Sequence, residues 1–263
     1  MSRGVSRRLC FVMSLVGGLG CAPAEHDPTG APPTPVPTAS TPPVSSTPPV
    51  PVAPTVPDHC VPPPGYSGSP RSIAEVVALV NAMPKPVTLA CFVEALTRPL
   101  AVNATRSTLS LQPSMGDRSP RMFLFVDPLI LSVVPEGDGS VLLEFGELRS
   151  ESRSLKGEVH FPVESTLSPA SPFERIMYAE NLSNCSFCHA DATQAEDITF
   201  TEAFVSTALR PQAYSRVSLS HVLAEHERCD VGREPERCAL LKAIFAQGQV
   251  VERDFPLTMP VFF

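Results

Sequence analysis

Proline constrains this chain more than any other residue, because its distribution along the sequence is very uneven. Of the 31 prolines, 16 lie within residues 22–64. Proline lacks the backbone N–H that helices and sheets need. A segment built mostly of Pro, Thr, Ser, Val and Ala cannot bury enough apolar area to offset its chain entropy. Residues 22–58 are therefore predicted to be a disordered, extended linker, with a reach on the order of 100 Å.

The segment before the linker has the pattern of a secretory signal. Three arginines among the first eight residues precede an apolar run over residues 9–19, which is too short to span a membrane. The run ends at Gly18-Leu19-Gly20-Cys21. This ending resembles the lipobox of bacterial lipoproteins, in which the cysteine is lipidated and becomes the new N-terminus. Gly18 stands where that pattern usually has an aliphatic residue.

The lipobox resemblance implies a location as well as a modification. Residues 1–20 would be a signal peptide, and a lipid on Cys21 would hold the protein at a membrane of the cell envelope, facing the periplasm or the cell surface. Ala22 follows the cysteine where an Asp would favour the inner membrane, so the outer membrane is favoured. The mature chain would keep 17 basic and 27 acidic residues. Such an acidic protein is not expected to bind nucleic acid.

Hydrophobic patterning divides the remaining chain into two predicted units. Residues 60–168 are expected to form an antiparallel β-rich domain that begins with a helix, because the capping box Ser72-Ile73-Ala74-Glu75 precedes helically spaced apolar residues. Later segments change to a period of two, which indicates strands. The strands are predicted at residues 122–126, 129–134, 141–145 and 159–163, with a hairpin loop after the second.

The C-terminal unit, residues 169–263, is expected to be helical. Ser171-Pro172-Phe173-Glu174 combines an N-cap, a proline at the first helical position and a capping glutamate, and predicts a helix up to about residue 181. Three further helix starts are predicted at Thr199, Ser218 and Pro235. The expected fold class is therefore α+β, with a β-rich unit followed by a helical one.

Cys185-Ser186-Phe187-Cys188-His189 is the one motif in the chain that points to specific chemistry. It resembles the haem-attachment site of c-type cytochromes. In that family two thiols, one helical turn apart, form thioethers with one haem, and the next residue binds the iron. The resemblance covers the C-terminal unit only, and implies that this unit is cytochrome c-like. It implies haem c as cofactor, Cys185 and Cys188 as attachment points, and His189 as proximal ligand.

Small c-type cytochromes usually add a methionine as distal ligand, from a loop before a C-terminal helix. Met259, in Thr258-Met259-Pro260, is the first candidate for this role, although no helix is predicted after it. His226, on the apolar stripe of its predicted helix, is the second candidate. An open sixth position is the third.

Four cysteines remain outside the signal, the lipid site and the motif. An even number of cysteines in an oxidising compartment favours disulfides. We expect Cys60 to pair with Cys91, near the first helix, and Cys229 with Cys238, between the last two helices.

Two alternatives stay open for the motif itself. Cys185 and Cys188 could form a disulfide or a redox pair, although a thioredoxin-like site would need a preceding strand. Zinc could instead bind the motif together with Cys229 or Cys238.

The function expected from these features is that of an envelope-anchored, mono-haem c-type electron-transfer protein. It would be an electron carrier or a binding protein rather than an enzyme, and its acidity favours a basic redox partner. The alternative is a non-haem binding or structural lipoprotein of the cell envelope, stabilised by its disulfides.

Overall fold

The protein is described here by a computed structural model that covers residues 60–245 and 247–262. The predicted signal peptide, the lipidation site Cys21 and the proline-rich linker lie outside these residues. None of the helices in the described ranges is long and apolar enough to cross a membrane.

The described chain contains eleven strands and five α-helices. In chain order the strands are β1 (Leu100–Thr105), β2 (Arg121–Val126), β3 (Leu129–Val133), β4 (Leu142–Ser150), β5 (Arg153–His160), β6 (Met177–Ala179), β7 (Leu182–Ser183), β8 (Thr193–Gln194), β9 (Phe204–Thr207), β10 (Arg216–Val217) and β11 (Val250–Glu252). The helices are α1 (Ile73–Ala82), α2 (Leu89–Glu94), α3 (Ser171–Glu174), α4 (Leu219–Glu227) and α5 (Pro235–Phe245).

Nine of these strands form one sheet in the order β10-β1-β2-β3-β4-β5-β9-β8. The ninth, β11, pairs with β1 in parallel, while the neighbours along the rest of the sheet are antiparallel. Strands β6 and β7 form a separate hairpin. The sheet therefore joins strands from residues 100–160 with strands from residues 193–252.

The centre of the sheet follows the predicted pattern. The strands predicted at residues 122–126, 129–134 and 141–145 correspond to β2, β3 and β4, and the last two pair as a hairpin. The helix predicted from the capping box is also found, with α1 starting at Ile73. The Ser72 side chain accepts a hydrogen bond from Glu75 N–H, while the Glu75 carboxylate accepts from Arg71 N–H at 2.7 Å. Helices α4 and α5 begin where Ser218 and Pro235 predict them.

The predicted helical, cytochrome c-like unit is wrong. The motif Ser171-Pro172-Phe173-Glu174 forms only the four-residue helix α3, after which the chain turns into the β6–β7 hairpin. Asn181, in the turn of that hairpin, has a left-handed φ of 58°, which is incompatible with the helix expected up to about this residue. The helix predicted from Thr199 is also absent, and residues 204–207 form strand β9 instead.

The location of β9 gives the physical reason for this difference. Strand β9 pairs with Arg153–Leu155 of β5 and so covers backbone N–H and C=O groups that would otherwise be exposed at a sheet edge. The local capping signal at Thr199 favours a helix by a small free energy, which this tertiary pairing overrides.

One face of the sheet packs against helices and forms the main hydrophobic core. Leu124, Leu131, Leu143 and Leu155 project from four successive strands into this core and are almost completely buried. They meet apolar side chains of α1, α2 and α5. Two disulfides lie at the margin of this layer, Cys60–Cys91 next to α2 and Cys229–Cys238 at the start of α5.

Replacement of Leu131 by alanine tests the central position of this core. Leu131 is 0% exposed on β3, between two paired strands. We expect Leu131→Ala to lower the free energy of unfolding by about 2–5 kcal/mol, because it leaves a cavity that the sheet cannot close. Leu257→Ala is the matched control, since Leu257 is 86% exposed and should change the stability by less than about 0.5 kcal/mol. Urea unfolding of both variants measures this, and equal losses would contradict the described core.

Candidate functional site

The other face of the sheet carries a pocket of about 150 Å³. Strands β2 to β5 form its floor, where apolar Phe123, Ile130 and Leu148 lie beside charged Arg121 and Lys156. Three other segments complete the lining, and they come from residues 107–111, 184–189 and 208–211. The C-terminal residues Phe255, Met259 and Phe262 also line the pocket.

The C-x-x-C-H motif forms one wall of this pocket. Residues Asn184–Phe187 make a single 3-10 turn. The N–H groups of Cys188 and His189 both donate to the carbonyl of Cys185, at 3.2 and 2.8 Å. Cys185, Cys188 and His189 all line the pocket. The motif thus has a one-turn geometry that brings Cys185, Cys188 and His189 to the same pocket.

Backbone hydrogen bonds on both sides fix this turn. Before it, Asn184 N–H donates to the carbonyl of Ile176, at 2.7 Å, across the β6–β7 hairpin. After it, Thr207 of β9 donates to the carbonyl of Ala190 through both its N–H and its hydroxyl, at 2.9 Å each. The β6–β7 hairpin and strand β9 therefore hold the motif, where a helical domain was expected.

The His189 ring is fixed by one further contact. Its Nδ1 lies 2.7 Å from the carbonyl oxygen of Thr207. Because a carbonyl oxygen only accepts, Nδ1 carries the proton and donates, which leaves the lone pair on Nε2. Burial, reinforced by the charge of Lys156, lowers the pKa of His189 to about 3, against the opposing effect of the Thr207 hydrogen bond. A neutral imidazole anchored through Nδ1 is the form in which histidine binds metals.

The two motif cysteines are not paired with each other or with any other cysteine. Burial raises the pKa of Cys185 to about 11, although the charge of Lys156 opposes the shift. At neutral pH the Cys185 sulfur is thus a protonated thiol. Thiol–disulfide exchange requires a thiolate, so this environment disfavours a thioredoxin-like role.

The zinc alternative is also disfavoured. Cys229 and Cys238, the proposed additional ligands, form a disulfide with each other. Among the described residues, no group of three or more His, Cys, Asp or Glu side chains is arranged to hold a metal ion.

The two candidates for the distal ligand lie in different places. Met259 is 1% exposed, packs against Phe125, Ile130 and Phe255, and lines the same pocket as the motif. Its backbone is fixed by Arg210, whose Nε donates to the Met259 carbonyl at 2.9 Å. His226 instead stacks on Phe245, with ring centroids 5.6 Å apart, and does not line the pocket.

A buried charged group in the pocket was not predicted from the sequence. Lys156, on β5, is 7% exposed and donates from Nζ to Ser154 Oγ at 2.7 Å. Burial lowers its pKa to about 8, although the neighbouring Glu144 carboxylate opposes the shift. Glu144 itself forms an ion pair with Arg121. The signal in the sequence was the alternation Leu155-Lys156-Gly157-Glu158-Val159, whose polar side faces the pocket instead of solvent.

Comparison of the chain with known protein families, with curated proteins and with solved structures finds no match.

Replacement of Lys156 by methionine tests the electrostatics of the pocket. The folded pKa of about 8 lies below the ordinary value of 10.5, so the unfolded chain binds more protons between these values and the wild-type stability rises with pH there. Below pH 8 the buried charge costs about 3 kcal/mol, from about 1.4 kcal/mol per pKa unit. We expect Lys156→Met to be more stable than wild type at pH 7, with an advantage that disappears towards pH 10.5.

Urea unfolding as a function of pH measures this difference. Lys242→Met is the matched control, because Lys242 is exposed on α5 and its replacement should give no pH-dependent gain. A Lys156→Met variant that is less stable than wild type at pH 7 would show that the charge is stabilised in the pocket.

Proposed function

We propose that this protein carries one covalently attached c-type haem and transfers electrons in the cell envelope. The observation that supports this proposal is the convergence of Cys185, Cys188, His189 and Met259 on one pocket. These residues are separated by up to 74 positions in the sequence, yet they meet on one face of a sheet. When bound, such a haem supplies a one-electron redox centre.

The chemistry of the donor set fits this cofactor. Cys185 and Cys188 are unpaired and one helical turn apart, which suits attachment through two thioethers. His189 is neutral and keeps the lone pair on Nε2, so it can act as the proximal ligand, and the Thr207 carbonyl sets its orientation.

At about 150 Å³ the pocket is smaller than the roughly 300–1,000 Å³ of ordinary ligand sites, so haem attachment would require the segments that cover it to move apart. The chemistry of the pocket suits this cofactor. Its floor is apolar around Phe123, Ile130 and Leu148. At its rim, Leu109 and Leu111 are 60% and 59% exposed although both line the pocket. Exposed leucines beside an apolar cavity are stabilised when a bound apolar group covers them.

Met259 is the residue of this pocket that suits the distal position. Its side chain is buried among Phe125, Ile130, Ala208 and Phe255, which limits its mobility. A thioether ligand raises the reduction potential of a haem and leaves no position open for an external ligand. This combination favours electron transfer over ligand binding.

The expected location agrees with this chemistry. Maturation of c-type cytochromes takes place outside the cytoplasm, where the signal-like N-terminus would direct the chain. The disulfides Cys60–Cys91 and Cys229–Cys238 belong to an oxidising compartment. Anchoring through Cys21 would keep this redox centre at a membrane surface.

The decisive experiment is expression of the full chain together with the cytochrome c maturation machinery. We expect one haem per chain in the reduced pyridine haemochrome assay, and no covalent haem in the Cys185→Ser/Cys188→Ser double variant. His160→Ala is the control for histidine loss, because His160 is exposed at the end of β5 and should leave the haem content unchanged. A colourless wild-type protein with Cys185 bonded to Cys188 would instead support the structural lipoprotein.

Replacement of Met259 by leucine tests the distal ligand. Leucine keeps most of the packing volume, so we expect the haem content and the fold to be retained. The sulfur-to-iron charge-transfer band should disappear and the reduction potential should fall, because the thioether ligand is lost. Met177→Leu, in the β6 strand, is the matched control. Equal spectra and potentials in wild type and Met259→Leu would remove Met259 from this role.

A further inference from the structure

Two aromatic rings are exposed beside the motif. Tyr178, on β6, and Phe187, on the motif turn, are 66% and 63% exposed. Their ring centroids are 5.2 Å apart, with the planes at 82°. An edge-to-face pair is a favourable arrangement of aromatic rings, and here it leaves most of both rings in contact with water. Exposed aromatic pairs of this kind are enriched where proteins dock.

The chain around these rings is strongly acidic. Residues 174–202 contain six acidic side chains and one basic side chain, Arg175. Glu180, in the same hairpin as Tyr178, and Asp191, just after the motif, are both exposed. Neither carboxylate forms an ion pair with any residue in the described ranges, although the Arg153 guanidinium donates to the backbone carbonyl of Asp191 at 2.9 Å. Asp197, by contrast, pairs with Arg149 at 2.8 Å.

One ring of the aromatic pair also belongs to the candidate site itself. Phe187 is the residue between Ser186 and Cys188, in the turn whose two cysteines line the pocket. A molecule that rests on Phe187 is therefore separated from the pocket wall by a single residue. A redox partner must bring its own cofactor close to the proposed haem before an electron can pass. A partner that only binds does not need to approach the pocket.

We propose that Tyr178, Phe187, Glu180 and Asp191 form the docking surface for a redox protein with a lysine-rich face. This inference rests on the proposed electron-transfer function and names the kind of partner. The two rings supply a small apolar centre, and the two carboxylates supply the attraction that orients a basic partner. A patch of this size suits a short-lived complex, since electron-transfer partners bind through small interfaces and separate quickly.

Charge complementarity selects this partner over a second copy of the chain. Two identical acidic patches repel each other, and like charges brought together at an interface oppose association. A membrane with anionic lipids is disfavoured for the same reason. A protein whose own cofactor edge is surrounded by lysines is attracted to the same surface.

The test measures binding of the full chain to a small lysine-rich c-type cytochrome by isothermal titration calorimetry. We expect the Glu180→Gln/Asp191→Asn variant to bind this probe about 10-fold more weakly at low ionic strength, because two attractive charges are lost. The difference should vanish as salt rises from about 0.01 M to about 1 M, where the screening length falls from about 30 Å to about 3 Å. Tyr178→Ala should weaken binding at both salt concentrations, since it removes apolar contact.

The matched control is the Glu227→Gln/Glu236→Gln variant. It also removes two exposed acidic charges, but from α4 and α5. It should bind the probe as wild type does. Equal weakening in both double variants would overturn the docking surface, because the effect would then follow net charge alone. Tight binding of an acidic cytochrome of the same size would overturn it as well.

Haem content is measured on the same samples, so that failure of the proposed electron-transfer function can be distinguished from failure of the docking surface. The docking residues do not include a haem ligand, and calorimetry detects the association whether or not haem is attached. A haem-loaded chain whose affinity for the probe is unchanged by Glu180→Gln/Asp191→Asn keeps the proposed function and loses the docking surface. A haem-free chain with the predicted binding pattern loses the redox function and keeps an acidic docking surface.

Discussion

The two-residue period of the central strands is the constraint on which this structure depends. On β5, Leu155 and Val159 enter the helix-covered core, while Lys156 and Glu158 project to the opposite face. A shift of one residue in the pairing with β4 would exchange these two sets. The pairing of Gly146 on β4 with Lys156 on β5 therefore determines which side chains enter the core and which line the pocket.

The strand that covers the edge of β5 also positions the candidate site. Strand β9 pairs with Arg153–Leu155, and its last residue, Thr207, pairs with Arg153. The Thr207 carbonyl accepts from His189 Nδ1, while its N–H and hydroxyl hold Ala190. Protection of a sheet edge and orientation of an imidazole are thus achieved by the same short segment.

Local sequence signals were sufficient where the structure itself is local. The capping box at Ser72, the hairpin between β3 and β4, and the helices after Ser218 and Pro235 depend on neighbouring residues, and they were predicted. The helix predicted up to about residue 181 and the helix predicted from Thr199 were wrong, because residues 177–183 form the β6–β7 hairpin and β9 pairs with the distant strand β5. The short strands there have too few residues to show a period of two.

The same distinction applies to the candidate site. The motif residues could be identified in the sequence because their spacing is local. Lys156 could not, because its burial follows from distant segments, such as residues 184–189 and 208–211, that cover the pocket. A buried lysine depends on which side of a strand is covered, and that is decided by the whole fold.

The structure separates the motif from the fold in which it was expected. The arrangement of Cys185, Cys188 and His189 needs only one helical turn, which two hydrogen bonds to the Cys185 carbonyl provide. The β6–β7 hairpin before the turn and strand β9 after it supply the rigidity that flanking helices would supply in a helical domain. The absence of a helical unit means that the fold does not support the cytochrome c resemblance. The local geometry of the motif and the chemistry of the pocket remain as support for the proposed haem site.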